Sequence, residues 1–142
     1  MSSDMESKIN ELANLIGVLE NYYESIMSRI YLISQALDDS TAASNAIKAL
    51  PDSGVSEIVL PVGGDIYVQV NYTPESKIMV KVGDGVVVIR SKESSLAFLN
   101  SRIEEFNKAL SAAQGDKNEV ENRIKQARLE LNDLMKRSEN VR

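Results

Sequence analysis

Cysteine, histidine and tryptophan are all missing from this 142-residue chain. Without cysteine there are no disulfides, no thiolate nucleophile and no Cys-ligated zinc. Without histidine the commonest general base and the commonest metal ligand are gone. Only a carboxylate or lysine mechanism is left open. The paired acids Asp38-Asp39 and Glu104-Glu105 fall on exposed positions of helical segments, where they read as solvated charge. The expectation is a non-enzyme with no catalytic residue, no metal and no cofactor.

Basic charge is also short: 16 Lys and Arg against 21 Asp and Glu, for a net charge of −5. A nucleic-acid groove needs a basic stripe, and an electrostatic anchor on anionic lipid needs a basic cluster. Neither is present, so neither partner is expected. No apolar run approaches the length of a membrane span. The opening residues MSSDMESKINELANLIG are polar and acidic and lack the apolar centre of a signal peptide. A cytoplasmic protein is the expectation. Aromatics amount to two Phe and five Tyr, so any core must rest on Ile, Leu, Val and Ala.

Proline occurs only at Pro51, Pro61 and Pro74, and five of the seven glycines fall between Gly54 and Gly85. The helix breakers therefore crowd into the middle, and the two flanks are free to be long helices. In the first flank, Ile9, Ile16, Tyr23, Ile30 and Leu37 recur every seven residues. Met5, Leu12, Leu19, Ile26 and Ile33 form a second row, offset from the first. Two such rows are the a and d positions of a coiled coil. The second flank repeats the pattern. One row is Leu96, Ile103, Leu110, Lys117, Ile124 and Leu131; the other is Leu99, Phe106, Ala113, Val120, Ala127 and Leu134. Lys117 is the one charged intruder, and with Gly115 it marks a soft spot.

A narrow apolar stripe needs a partner stripe, and the nearest is the other flank. An insert that folds back would pair the flanks antiparallel. Partners whose residue numbers total 143 set Ile9 by Leu134 and Tyr23 by Val120, while a total of 136 is the next register compatible with the heptads. Pro51 should end the first helix and Ser91 should cap the second, with Glu93 in its first turn.

Between the flanks the period drops to two. Ile58, Leu60 and Val62 alternate, then Ile66, Val68, Val70 and Tyr72, then Ile78, Val80 and Val82, then Val86 and Val88. Turn residues separate the runs: Gly63-Gly64-Asp65, Thr73-Pro74-Glu75-Ser76 and Gly83-Asp84-Gly85. None leads into a helix with a following Lys-Ser/Thr, so none is a phosphate loop. Four short strands making two hairpins are expected. The fold class is α+β: a long antiparallel two-helix coiled coil with two β-hairpins inserted between the helices. Residues 1–142 are expected to form one domain, with helix over 3–50, hairpins over 55–90 and helix over 91–140.

Such small sheets cannot bury their own apolar face, and their edges are open. Packing against strands of other subunits removes both problems, so the hairpins are expected to build an intersubunit β-barrel. The assembly residues are Ile58, Leu60, Ile66, Val68, Val70, Ile78, Val80, Val82, Val86 and Val88. Terminal heptads fray, so the coil ends should offer apolar groups for weak, promiscuous binding. The candidates there are Met5, Ile9, Leu12, Leu15, Leu131, Leu134, Met135 and Val141.

Helix, two hairpins and helix in this length resembles the α class of the prefoldin family. The likeness is carried by IVLPVGGDIYV at 58–68, IMVKVGDGVVV at 78–88 and the helix start SKESSLAFLNSRI at 91–103. The chain departs from the family pattern at Ile89-Arg90, where an acidic residue usually precedes the basic one. It departs again at Lys81, where a small polar or acidic residue is common. The resemblance implies an ATP-independent holdase. In that family, two α-class and four β-class subunits form a hexamer around a double β-barrel. Its coil tips hold unfolded client proteins and pass them to a group II chaperonin. The residues alone also fit a second function, a structural or adaptor coiled coil with a β oligomerisation cap and no general chaperone activity.

Overall fold

The computed structural model describes residues 3–140. Helix α1 spans Ser3–Lys48 and helix α2 spans Lys92–Asn140. Four strands lie between them: β1 (Ser56–Gly63), β2 (Ile66–Tyr72), β3 (Ile78–Gly83) and β4 (Val86–Arg90). Both helices run where the heptads placed them, and α2 continues unbroken through Gly115. The chain divides into two compact units, residues 1–35 with 106–142, and residues 36–105.

The first unit is the antiparallel coil. Its core is Leu19, Ile26, Val120 and Ile124, with Tyr23 and Ile30 packed against them. All six belong to the a and d rows. Ile26 has no exposed surface. Ala113 and Ala127 are also buried, and their small side chains leave room for the facing residues of α1. Three contacts between the helices narrow the register: Tyr23 donates to Glu121 at 3.1 Å, Arg29 lies 3.8 Å from Asp116, and Arg128 pairs with Glu20. Each is within about two turns of the pairing that totals 143. In the 136 register Arg128 would stand about three turns from Glu20, beyond its reach. Lys117, at an a position, reaches Glu121 at 3.8 Å. The same carboxylate accepts the Tyr23 hydroxyl. A lysine in the seam is thus matched by an acid one turn on.

The second unit carries the hairpins. Strand β1 pairs antiparallel with β2, and β3 with β4, as two separate two-stranded sheets. The turns are Gly64-Asp65 and Asp84-Gly85. Their φ values are +58° and +60° in the first, +47° and +77° in the second. Two successive positive φ values are what a type I′ turn requires, and its twist suits a hairpin. A register shift precedes each turn, at Gly63 and Gly83. The hairpins are joined by the turn at Thr73, where the Ser76 amide donates to the Thr73 carbonyl at 2.9 Å.

The helix ends of this unit are tied together. The Ser94 amide donates to Ser91 Oγ at 3.0 Å, so Ser91 caps α2 as its position implied. Lys92 Nζ reaches back to the Leu50 carbonyl at 2.7 Å and to Asp52 at 3.0 Å. A cation is thereby set on a carbonyl just past the last turn of α1, where the helix dipole favours it. The a and d rows of α1 continue here as Ser40 and Ser44, both buried.

Candidate assembly and client-binding surfaces

Cross-strand pairing gathers the expected assembly residues. Ile58 stands opposite Val70 and Leu60 opposite Val68, while Val80 faces Val88. Gly63 pairs with Ile66, and Gly83 with Val86. Side chains alternate across a strand, so these residues form one apolar face on each hairpin. That face is open. Leu60, Ile66, Val68, Val82, Val86 and Val88 are exposed, and Ile58, Val70, Ile78 and Val80 are half-buried.

The opposite face is open too, and it is mixed: Glu57, Gln69, Asn71 and Lys81 share it with exposed apolar side chains. Val59 is 60% exposed and Met79 70%, with Tyr67, Val87 and Ile89 beside them in the same state. Period-two alternation sets these residues opposite the rows of Ile58 and Ile78, and no role was expected of them. Among the strand residues only Tyr72 is buried. It lies at the base of the first hairpin beside Pro51, Pro74 and Lys92.

A groove runs along β3. It is lined by Ile78, Met79, Val80 and Lys81 on one side and by Ala43, Ile47, Ser95, Phe98, Leu99 and Arg102 of the helices on the other. The guanidinium carbons of Arg90 and Arg102 lie 5.6 Å and 4.9 Å from the centre of the Phe98 ring. Both distances are within cation–π range. Ser95 and Phe98 lie in the helix start that carries the family likeness, but heptad counting gives neither a role, because both fall outside the rows of Leu96 and Leu99.

In the coil unit the expected client-binding residues divide. Met5, Ile9, Leu12, Leu131 and Leu134 are half-buried along the seam. Leu15 and Met135 are exposed, at 39% and 49%. Val141 lies outside the described residues. Leu12, Leu15 and Leu19 share one shallow cleft with Ala127. Val18 and Leu129, which the heptad rows leave out, are also largely exposed. Among the described residues no acidic cluster could hold a metal ion, and no helix is long and apolar enough to cross a membrane.

A family model described as prefoldin subunit matches residues 19–137. The chain belongs to the prefoldin family. Its similarity to curated prefoldin proteins runs nearly end to end. It is 27% identical over 130 residues to prefoldin subunit alpha of Nitrosopumilus maritimus, covering 92% of this chain and 90% of that one. Against prefoldin subunit alpha of Thermofilum pendens the identity is 29% over 126 residues, covering 89% and 95%. Against the same subunit of Pyrococcus horikoshii it is 24% over 119 residues, covering 82% and 80%. Among solved structures, a chain of filamentous PFD from Methanocaldococcus jannaschii is similar at a TM-score of 0.48 and 18% identity, covering 88% of this chain and 98% of that one. The resemblance of the hairpin segments to the α class of prefoldin thus agrees with the relatives found, and two hairpins between two long helices are the prefoldin fold in this chain.

Proposed function

We propose that this prefoldin chain is an α-class subunit that joins β-class subunits in an α2β4 hexamer and acts as an ATP-independent holdase. One observation carries the reading: each hairpin exposes apolar side chains on both of its faces. A lone hairpin is marginally stable in water, and an exposed apolar strand with a free edge is an aggregation hazard. A barrel shared between subunits covers both faces and both edges at once. In this reading the face of Leu60, Val68 and Val88 turns into the barrel, and Val59, Met79 and Ile89 pack on neighbouring subunits.

The coil ends then serve the clients. Leu15 and Met135 are exposed, and Met5, Ile9, Leu12, Leu131 and Leu134 can be uncovered when the last heptads fray. Val141 would extend the same patch. Apolar groups presented this way bind many unfolded chains weakly and need no chemistry. The protein works in the cytoplasm and hands its clients to a group II chaperonin, without contacting nucleic acid or membrane.

The test is native mass spectrometry of the chain mixed with β-class subunits from the same source. A hexamer with two copies of this chain is expected. It should suppress aggregation of unrelated unfolded proteins without ATP. A chain that stays alone with every β-class subunit would end the assembly reading, and a hexamer that leaves aggregation unchanged would end the holdase reading.

A further inference from the structure

The groove along β3 has two features that a simple apolar contact does not need. First, it is cationic. Lys81 and Arg102 rim it, its lining contains no carboxylate, and the whole chain carries a net charge of −5. Among the described residues neither Lys81 nor Arg102 has an acidic partner. Arg102 is held over the Phe98 ring, which positions it without neutralising it. Second, the groove contains an unsatisfied polar group. Ser95 is 1% exposed, and its hydroxyl has no hydrogen-bond partner. A buried hydroxyl left unpaired is costly, and it is satisfied when a ligand brings the missing partner.

The groove also has a direction. Four consecutive residues of β3 line it, whereas one face of a strand would supply every second residue. It therefore follows a strand edge. Strand β4 contributes nothing to the lining and occupies the other edge, so this is the unpaired edge of β3.

We propose that this groove receives an extended, acid-bearing strand of a different prefoldin subunit, whose carboxylate is read by Lys81 and Arg102 and whose polar backbone satisfies Ser95. This rests on the assembly reading above and adds what selects the partner. A second copy of this chain is a poor occupant. Its four strands carry a single carboxylate, Glu57, and that group already accepts a hydrogen bond from Gln69 at 2.6 Å. The strands otherwise offer Lys81 and Arg90, which would face like charge.

The full chain is titrated with β-class subunits, and hexamer formation is followed by native mass spectrometry. Lys81→Glu/Arg102→Glu is expected to raise the concentration needed by about tenfold or more, since like charges across an interface are strongly disfavoured. Lys108→Glu, an equivalent charge change on an exposed helix position, should leave it unchanged. Reversing the facing carboxylate of the partner to lysine should rescue the double variant. Circular dichroism shows whether that variant is folded. Were it not, the exposed single change Lys81→Gln decides, with a few-fold loss expected. Assembly of the charge-reversed chain at wild-type concentrations overturns the inference and leaves the hexamer standing. So does a homodimer of this chain that is lost on Lys81→Glu, because the groove would then belong to a second copy. A wild-type chain that joins no β-class subunit overturns the assembly reading itself.

Discussion

Ile26 sits at the centre of the coil with no exposed surface, on the d row that the sequence displays every seven residues. Truncating it leaves a cavity between two helices that have little else to hold them at that level. Ile26→Ala is expected to destabilise the coil by about 2–5 kcal/mol, read as a lowered midpoint of urea unfolding of the helical signal. Residues of this kind were legible because burial in a coil follows a fixed period. The buried serines were not. Ser40, Ser44 and Ser138 continue the apolar rows of their helices, and all three are buried. Counting hydrophobes stopped the rows at Leu37, Ile33 and Leu131; continuing the seven-residue step whatever the residue would have found them. Ser95 follows no such rule. Its burial comes from the groove beside β3, and nothing local in the sequence announces it.

At the scale of elements, boundaries followed from backbone chemistry. Helix α1 ends at Lys48, two residues short of the expectation, because its last amides turn aside: Leu50 N donates to the Ile47 carbonyl at 3.2 Å. That tighter closing turn precedes Pro51, where helix cannot continue. Helix α2 begins at Lys92 because Ser91 caps it. Ser91→Ala removes the acceptor for the Ser94 amide, and about 1 kcal/mol of stability should go with it. Thermal unfolding followed at the helix band would register the loss, and Ser91→Asp should recover most of it. The hairpins were readable for an equally local reason. Gly64-Asp65 and Asp84-Gly85 hold consecutive positive φ values that few other residue pairs accept. Which strand faces would be covered was not readable, since this chain itself leaves both faces of each hairpin open.

For the molecule as a whole, the hairpins contrast with the coil. The coil has its own buried row of side chains; the hairpins expose apolar surface on both faces. Amides that bond only across one two-stranded ladder should exchange with solvent readily in the isolated chain. Hydrogen exchange is therefore expected to show slow amides around Ile26 and Val120, and fast ones in β1 to β4. Adding β-class subunits should slow the hairpin amides by about tenfold or more while leaving the coil centre as it was. Equal protection of hairpins with and without partners would contradict the assembly reading. The family and architecture are legible in the sequence because heptads and turn residues are strong local signals. The selectivity of the β3 edge required the placement of Lys81, Phe98 and Arg102 together, and these come from two segments that the sequence keeps apart.

The contact of Lys92 with the Leu50 carbonyl spans 42 positions of the chain. It closes everything between into a ring. Joining the ends of a chain this long costs on the order of 3 kcal/mol in entropy when nothing else holds them. Here the two helix ends already stand side by side, and the lysine acts as a buckle. The hairpins are thus a cassette with its own clasp, a part whose shape is set by its two closing residues and not by the length of the helices that carry it. Lengthening or shortening the helices by whole heptads would leave that closure, and the two hairpins inside it, unaltered.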